Sequence, residues 1–395
     1  MLPRRVVERV KKMSVAWFSF NLATSAIVLS TFALGNLEGY GWMLGLARLL
    51  AYINTATFAL AAVLYAARVV LGFESFKAVA RSPVEGPFLS TIGIATMTLS
   101  LDWSLVLGRV GVAAALFYVG LAIHTVIFVV VMYHLERHPG IEVHYMNPSW
   151  YMPAVGNVLA PYVGMILAGK GVPVSESLLG IYLGTGTIMW IALFAIWLYR
   201  AIFYSPPPAR LMATTWINLA PPAVIPLSYE ALLGFTPGVY ASLYREAAQG
   251  PASPVVASLL AAVFDFFYYT FWGAAGLLFA LVIAITADHA RKGDIEFAES
   301  WWAFVFPLAA YSISTIHLYL HHPQDRWLVP YAWLLYTLAW AAYLATTGLT
   351  LYYEYAEVVR GKPEEELPRI ARPLEEELAS PEAAPAGQPR PRLQG

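Results

Sequence analysis

The sequence predicts an all-α integral membrane protein: ten transmembrane helices paired as five helical hairpins, ringed around a central pore. Three observations lead there. Of 395 residues, 59% are hydrophobic and only 12% are charged, about half the ~25% of an average soluble domain, so a large water-facing surface cannot be built. The apolar residues gather into ten stretches, each near the roughly twenty residues a helix needs to cross a bilayer core. Prolines and polar residues fall on alternate stretches, which sorts the helices into an inner and an outer set.

The chain opens with a basic segment, residues 1–13, MLPRRVVERVKKM. No small-residue cleavage site follows it, and the first apolar run is long for a signal peptide, so it reads as a retained first span. The spans expected are 14–34, 45–71, 87–107, 110–133, 150–168, 178–203, 209–233, 254–286, 299–321 and 330–355. With the N-terminus inside, nineteen of the 24 basic residues fall on the cytoplasmic side and five (Arg48, Arg109, Lys170, Arg245, Arg326) outside, the bias that sets membrane orientation. This places both termini in the cytoplasm of a multi-pass plasma (inner) membrane protein. The membrane domain is expected over 14–356. Residues 357–395, rich in Pro, Glu and Ala with acidic runs at Glu364–Glu366 and Glu375–Glu377, read as a disordered cytoplasmic tail.

Pro153 and Pro161 stand inside the fifth span, Pro221, Pro222 and Pro226 inside the seventh, and Pro307 inside the ninth. The even spans have none in their interiors; Pro254 and Pro330 are at starts, where proline is tolerated. The odd spans also carry Asn21, Thr24, Ser25, Ser90, Thr91, Asn157, Thr214, Thr215 and Asn218, with Thr185 and Thr187 in the sixth as exceptions. A proline removes a backbone donor, and in hydrocarbon the freed carbonyl needs shelter in protein or beside a water-filled cavity. Kinked, polar-bearing helices therefore belong at the centre and straight apolar ones toward lipid. Pro153, Pro161, Pro222 and Pro307 are the candidate pore kinks. Thr24, Ser90, Asn157, Thr215 and Ser312 are the candidate pore-lining groups. In the ninth span, WWAFVFPLAAYSIS, the bulky Phe306 directly before Pro307 is placed to block a cavity.

The net charge of −1 removes nucleic acid as a partner. The absence of cysteine removes disulfides, thiolate metal sites and iron–sulfur clusters. His134 and His138, and His317 and His321, stand at i, i+4, but at helix ends without a third ligand in pattern, and HLERH is not HExxH. No metal site, haem or other cofactor is expected, and no enzymatic activity. Ionisable residues inside spans are functional candidates by default. Asp265 in the eighth span is the deepest acid and His124 sits midway along the fourth, the two candidate proton sites; Asp102 and Glu230 lie near helix ends. No Lys or Arg falls in mid-span, which argues against a tight dicarboxylate site. A conducting pore needs only weak binding, and freed amides supply partial positive charge.

Read as words, the odd spans resemble a known family. ESWWAFVFPLAAYSIS at 299–314, ARLMATTWINLAPPAVIPLSY at 209–229, NPSWYMPAVGNVLAPYVG at 147–164, VARSPVEGPFLSTIGIA at 79–95 and, more loosely, AWFSFNLATSAI at 16–27 are similar to the five inner helices of the tellurite-resistance/dicarboxylate transporter (TDT) family, in order. That family includes the plant slow-type anion channels and the yeast malate and sulfite transporters. The resemblance implies ten helices in five hairpins with quasi-five-fold symmetry around a pore, and a homotrimer in the bilayer. It also implies a phenylalanine gate, which falls on Phe306 by motif, with Phe304 the alternative two residues earlier. Ser25 departs from the glycine many members carry there, and His317 and His321 lie outside the pattern. The function implied is a channel or transporter for small anions such as chloride, nitrate, sulfite or C4-dicarboxylate. The alternative is a proton-coupled C4-dicarboxylate or sulfite transporter, with Asp265 or His124 carrying the proton. A third reading, a quinone- or haem-binding subunit of a redox enzyme, is opposed by the missing histidine pair. No motif names the ion.

Overall fold

A computed structural model describes residues 13–204, 206, 208–234 and 254–360, with 7, 10 and 11 alone near the N-terminus. Arg4, Arg5, Arg9, Lys12 and Arg245, and the expected tail from 361 onward, lie outside the described residues. All regular structure among the described residues is helical. The first span is α1 (Ala16–Glu38), the second α2 (Gly41–Leu71), followed by a short helix α3 (Phe73–Arg81). The third span is a 3₁₀ turn, Gly86–Leu89, continued by α4 (Ser90–Leu101) and a π-helical turn, Asp102–Val106; the fourth is α5 (Val110–Arg137). The fifth joins the 3₁₀ turn Pro148–Tyr151 to α6 (Met152–Ala168), and the sixth is α7 (Glu176–Phe203). The seventh joins Ala209–Leu219, wound as 3₁₀, to α8 (Ala220–Leu233), and the eighth is α9 (Pro254–Lys292). The ninth joins the 3₁₀ stretch Glu299–Phe304 to α10 (Val305–His321), and the tenth is α11 (Leu328–Arg360). Helix α11 thus runs on to Arg360, four residues into the segment expected as tail.

The division into inner and outer helices holds. The most apolar windows of the first, third, fifth and ninth spans are 72–83% buried, those of the even spans only 22–33%. Each odd span packs on the next: α1 on α4, α4 on α6, α6 on α8, α8 on α10, and α10 returns to α1. Each even span packs on the odd one before it. Among the described residues nine segments are long and apolar enough to cross a membrane as single helices. The seventh span is not among them; it carries Arg210, Asn218, Glu230 and three prolines, which lower its apolar content. The outer helices run longer than expected, 28 to 39 residues. At about 1.5 Å per residue even the shortest exceeds a ~30 Å hydrocarbon core.

Inside the bundle, several threonine hydroxyls are satisfied by the helix that carries them. Thr91, Thr96, Thr214, Thr215 and Thr315 donate to carbonyls three or four residues earlier, so polar residues can be buried without a cross-chain partner.

Prolines act mostly at a change of winding rather than in mid-helix. Pro153 lies in the first turn of α6, Pro222 in that of α8 and Pro307 in that of α10, each just after a 3₁₀ segment. There the missing N–H is one that has no intrahelical acceptor anyway. Pro161 and Pro226 are the residues inside an α-helix. The eleven-residue 3₁₀ stretch of the seventh span is long for that geometry, whose runs seldom exceed three or four residues, and such stretches mark hinges or strain. No element is expected from sequence between 71 and 87; α3 forms there, with Phe73 and Phe76 stacked on one side and a Lys77–Glu74 pair at 2.8 Å.

The outer faces predict their own solvent. Val63 on α2 and Ile188 on α7 are 68% and 72% exposed. The chain has no native cysteine, so nitroxides on V63C and I188C report each site alone. In a bilayer, strong relaxation by oxygen and weak relaxation by a water-soluble nickel chelate is expected at both; the reverse would put these faces in water.

Candidate functional site

A cavity opens where the inner spans begin. It is lined by Ser19 and Leu22 of the first span, Phe88 and Thr91 of the third, Met152 of the fifth, Ile217 and Ala220 of the seventh, and Glu299, Ser300, Trp302, Ala303, Phe306 and Pro307 of the ninth. All five odd spans contribute, and no even span does. The volume open to the centre of a water molecule is about 30 Å³, room for roughly two waters. Its polar rim is Ser19, Thr91, Ser300 and Glu299; the Glu299 carboxylate accepts from Ser14 Oγ at 2.6 Å.

Phe306 and Pro307 stand in the wall of this cavity. Between Phe306 and His317 on α10, Phe306 is 7%, Ala310 5% and Ile313 8% exposed, Leu308 and Ile316 are at 2–3%, and Ala309, Tyr311, Ser312, Ser314 and Thr315 are at 0%; beyond His317, Leu320 is 42% exposed. The stripe reaches His317, whose side chain is 25% exposed. Positions 306, 310, 313 and 317 are i, i+4, i+7 and i+11, one face of a helix. Phe304 is turned aside: it packs edge-on to Trp216 and Trp301, ring centroids 5.2 and 5.5 Å away.

The five candidate pore-lining residues are buried in the inner set but are not among the residues lining this cavity. Thr24 Oγ1 lies 3.1 Å from the Tyr343 hydroxyl on α11, and Ser312 donates to the Ala332 carbonyl of the same outer helix at 2.9 Å. Asn157 faces His124 on α5. Thr215 donates to Met212 within its own 3₁₀ segment. Ser90 Oγ has no partner among the described residues; its neighbour Thr91 is the one that reaches the cavity.

The two candidate proton sites are also away from it. His124 is fully buried, its Nε2 2.9 Å from Asn157 Oδ1. Two glycines make room for it: a Cβ on Gly156 would stand 2.1 Å from the ring Cε1, and one on Gly93 2.7 Å from the His124 Cα. Asp265, the deepest acid by sequence position, sits on an outer helix, 20% exposed, paired with His322 Nε2 at 3.0 Å.

The carboxylates most withdrawn from solvent are two others. Asp102 is fully buried where the π-helical turn begins, its Oδ2 accepting from Ser25 Oγ at 2.9 Å and Asn54 Nδ2 at 3.0 Å. This ties the first three spans together. Glu230 on α8 lies 3.0 and 3.1 Å from His317 Nδ1, with His321 Nε2 at 3.2 Å. Sequence alone gives that histidine pair no third member, because Glu230 is 87 residues upstream of His317. Among the described residues no group of three His, Asp or Glu side chains is arranged to hold a metal ion.

The glycine cradle around His124 makes a sharp prediction. Gly156→Ala forces ring or backbone to shift, and overpacking of this kind costs about 1–3 kcal/mol. A lower melting temperature in detergent is expected, partly restored when His124→Ala is added; equal stability of Gly156→Ala and the parent would contradict the close contact.

Comparison with known proteins bears on what this arrangement is for. Two proteins of Methanocaldococcus jannaschii, each named an uncharacterized transporter, are similar to the chain. One is 28% identical over 316 residues, covering 78% of this chain and 86% of the relative. The other is 29% identical over 273 residues, covering 68% and 72%. The family profile described as voltage-dependent anion channel, SLAC1, matches residues 12–351, which takes in all five inner spans, the first four outer ones and most of the tenth span. The chain belongs to the SLAC1 (TDT) family of membrane transport proteins.

Proposed function

We propose that this protein passes small anions, of the chloride, nitrate, sulfite or C4-dicarboxylate type, along the axis of the inner helices, with Phe306 as steric gate. The observation that carries this reading is the cavity to which every inner span and no outer span contributes, with Phe306 in its wall. In this reading the closed circuit of inner-helix contacts is a quasi-five-fold ring, the outer helices face lipid, and both termini are cytoplasmic in a plasma-membrane homotrimer. A cavity with room for about two waters is a closed pore. Among the described residues the cavity lining includes no Lys or Arg and one carboxylate, Glu299, so an anion there would meet backbone and hydroxyl dipoles beside a like charge, binding weakly enough to leave. Flux would run down the electrochemical gradient.

The test is electrical. Purified protein in planar bilayers under asymmetric salt should show an anion-selective reversal potential, with current at least several-fold larger in Phe306→Ala than in the parent. Equal currents would remove the gate. Silence from both, in protein shown to be folded, would overturn the pore and favour the second reading: proton-coupled transport of C4-dicarboxylate or sulfite. Asp265 and His124 were its sequence candidates. The observation favouring that reading is the number of buried carboxylate and imidazole groups near the far ends of the inner helices, and its mark is uphill uptake driven by a pH gradient.

A further inference from the structure

The stripe of α10 that carries Phe306 continues beyond the cavity. His317 lies on it eleven residues beyond Phe306, about 16 Å along the helix at 1.5 Å per residue. Its Nδ1 is held by both oxygens of Glu230, at 3.0 and 3.1 Å. An ionised carboxylate only accepts hydrogen bonds, so Nδ1 carries the hydrogen. The other edge of the ring differs. The side chain is 25% exposed, and among the described residues Nε2 has no hydrogen-bond partner and is not a buried atom.

This fixes what Nε2 can do. In the neutral ring, with the proton on Nδ1, Nε2 presents a lone pair and repels an anion. When the ring takes a second proton, Nε2 becomes an N–H donor, and the same atom attracts one. Glu230 meanwhile balances the charge of the imidazolium, so the anion meets one directed donor in a neutral pair rather than a bare cation. A weak, exchangeable site results.

The other titratable groups facing the pair do not supply this behaviour. His321 on α10 lies on the far side of Glu230 with its side chain fully buried, its ring 5.0 Å from that of Phe264 on α9. Tyr162 from α6 packs edge-on against His317 at 6.2 Å. Tyr268 from α9 is buried and donates to the Ser314 carbonyl at 2.9 Å. Asp265 on α9 is engaged with His322.

We propose that His317, oriented by Glu230, is a binding site that takes a small monoanion together with a proton, at the end of the Phe306 stripe remote from the cavity. The proposal rests on the reading that this stripe faces the ion path, and it names the ligand as a halide or small oxyanion plus H⁺. Because the two bind to one ring, each raises the affinity for the other by the same factor.

Proton uptake tests this without any current. Full-length protein in weakly buffered nanodisc solution is brought to a series of values between about pH 5 and 8, where histidine titrates. Sodium chloride, or sodium gluconate at equal ionic strength, is then added. Chloride should draw in up to about one proton per chain near the midpoint of the ring's titration, and the larger gluconate markedly less. His317→Gln, which keeps a donor but no titration, should abolish the uptake, and His321→Gln should leave it. Glu230→Gln keeps an acceptor for Nδ1 but removes the charge, so it should move the pH of half-maximal uptake, whereas Asp265→Asn should not. Absence of uptake in the parent, or uptake that survives His317→Gln, overturns the proposal. If His317→Gln does not fold, an unmoved midpoint in Glu230→Gln overturns it. Anion current without proton uptake would sink this site and leave the pore reading standing; uptake without current would do the opposite.

Discussion

Hydrocarbon offers no hydrogen bonds, and this architecture follows from that. A helix carrying proline, 3₁₀ winding or a buried hydroxyl survives in a bilayer only if protein covers it. Here those features are concentrated on five spans, and the other five cover them. The third span shows the rule at work: it starts in 3₁₀ and ends in a π-helical turn, and its most apolar window is 83% buried. The fourth span, a single unbroken α-helix packed against it, is 22% buried over its own window. Irregular backbone goes inside; the first span, an unbroken α-helix, is drawn inside by its buried polar residues Asn21, Thr24 and Ser25. A space to which all five inner spans contribute is what such a division leaves behind.

That much is legible in a linear sequence because it depends on which span a residue occupies. Proline at 153, 161, 222, 226 and 307, against none in the even interiors, is enough to sort the helices. Which way a residue faces within its span is another matter. Successive helical residues step by about 100°, so an error of one position moves a side chain a quarter of the way round. Ser90 and Thr91 are neighbours, yet Thr91 lines the cavity and Ser90 does not. Asn157 and Ser312 are polar residues of inner helices that face outer ones. Phe306 was identified by motif, and it is in the cavity wall; its role as a gate stays with the proposal.

Long-range pairing was the least legible feature. His317 and His321 stand at a recognisable spacing, but nothing in sequence connects them to Glu230. Asp102 likewise takes its partners from Ser25 and Asn54, on two other spans. Both carboxylates lie toward the C-terminal ends of inner helices, away from the cavity at the N-terminal ends. On the proposed reading this makes the path asymmetric: an apolar, aromatic constriction at one end and a titratable wall at the other. A gate of that kind sets whether ions pass, and a site of that kind sets with what they pass.

The account stands or falls on whether ions run along the Phe306 face of α10. Single cysteines at Ile313 and Ala309, in a Phe306→Ala background, probe that directly when an anionic thiol reagent is added during current recording. Ile313, on the stripe, keeps 8% exposure and Ala309 is at 0%. Progressive block at I313C with an unaffected A309C is the predicted result. Block at A309C, or indifference at both while the channel conducts, would put the path somewhere else.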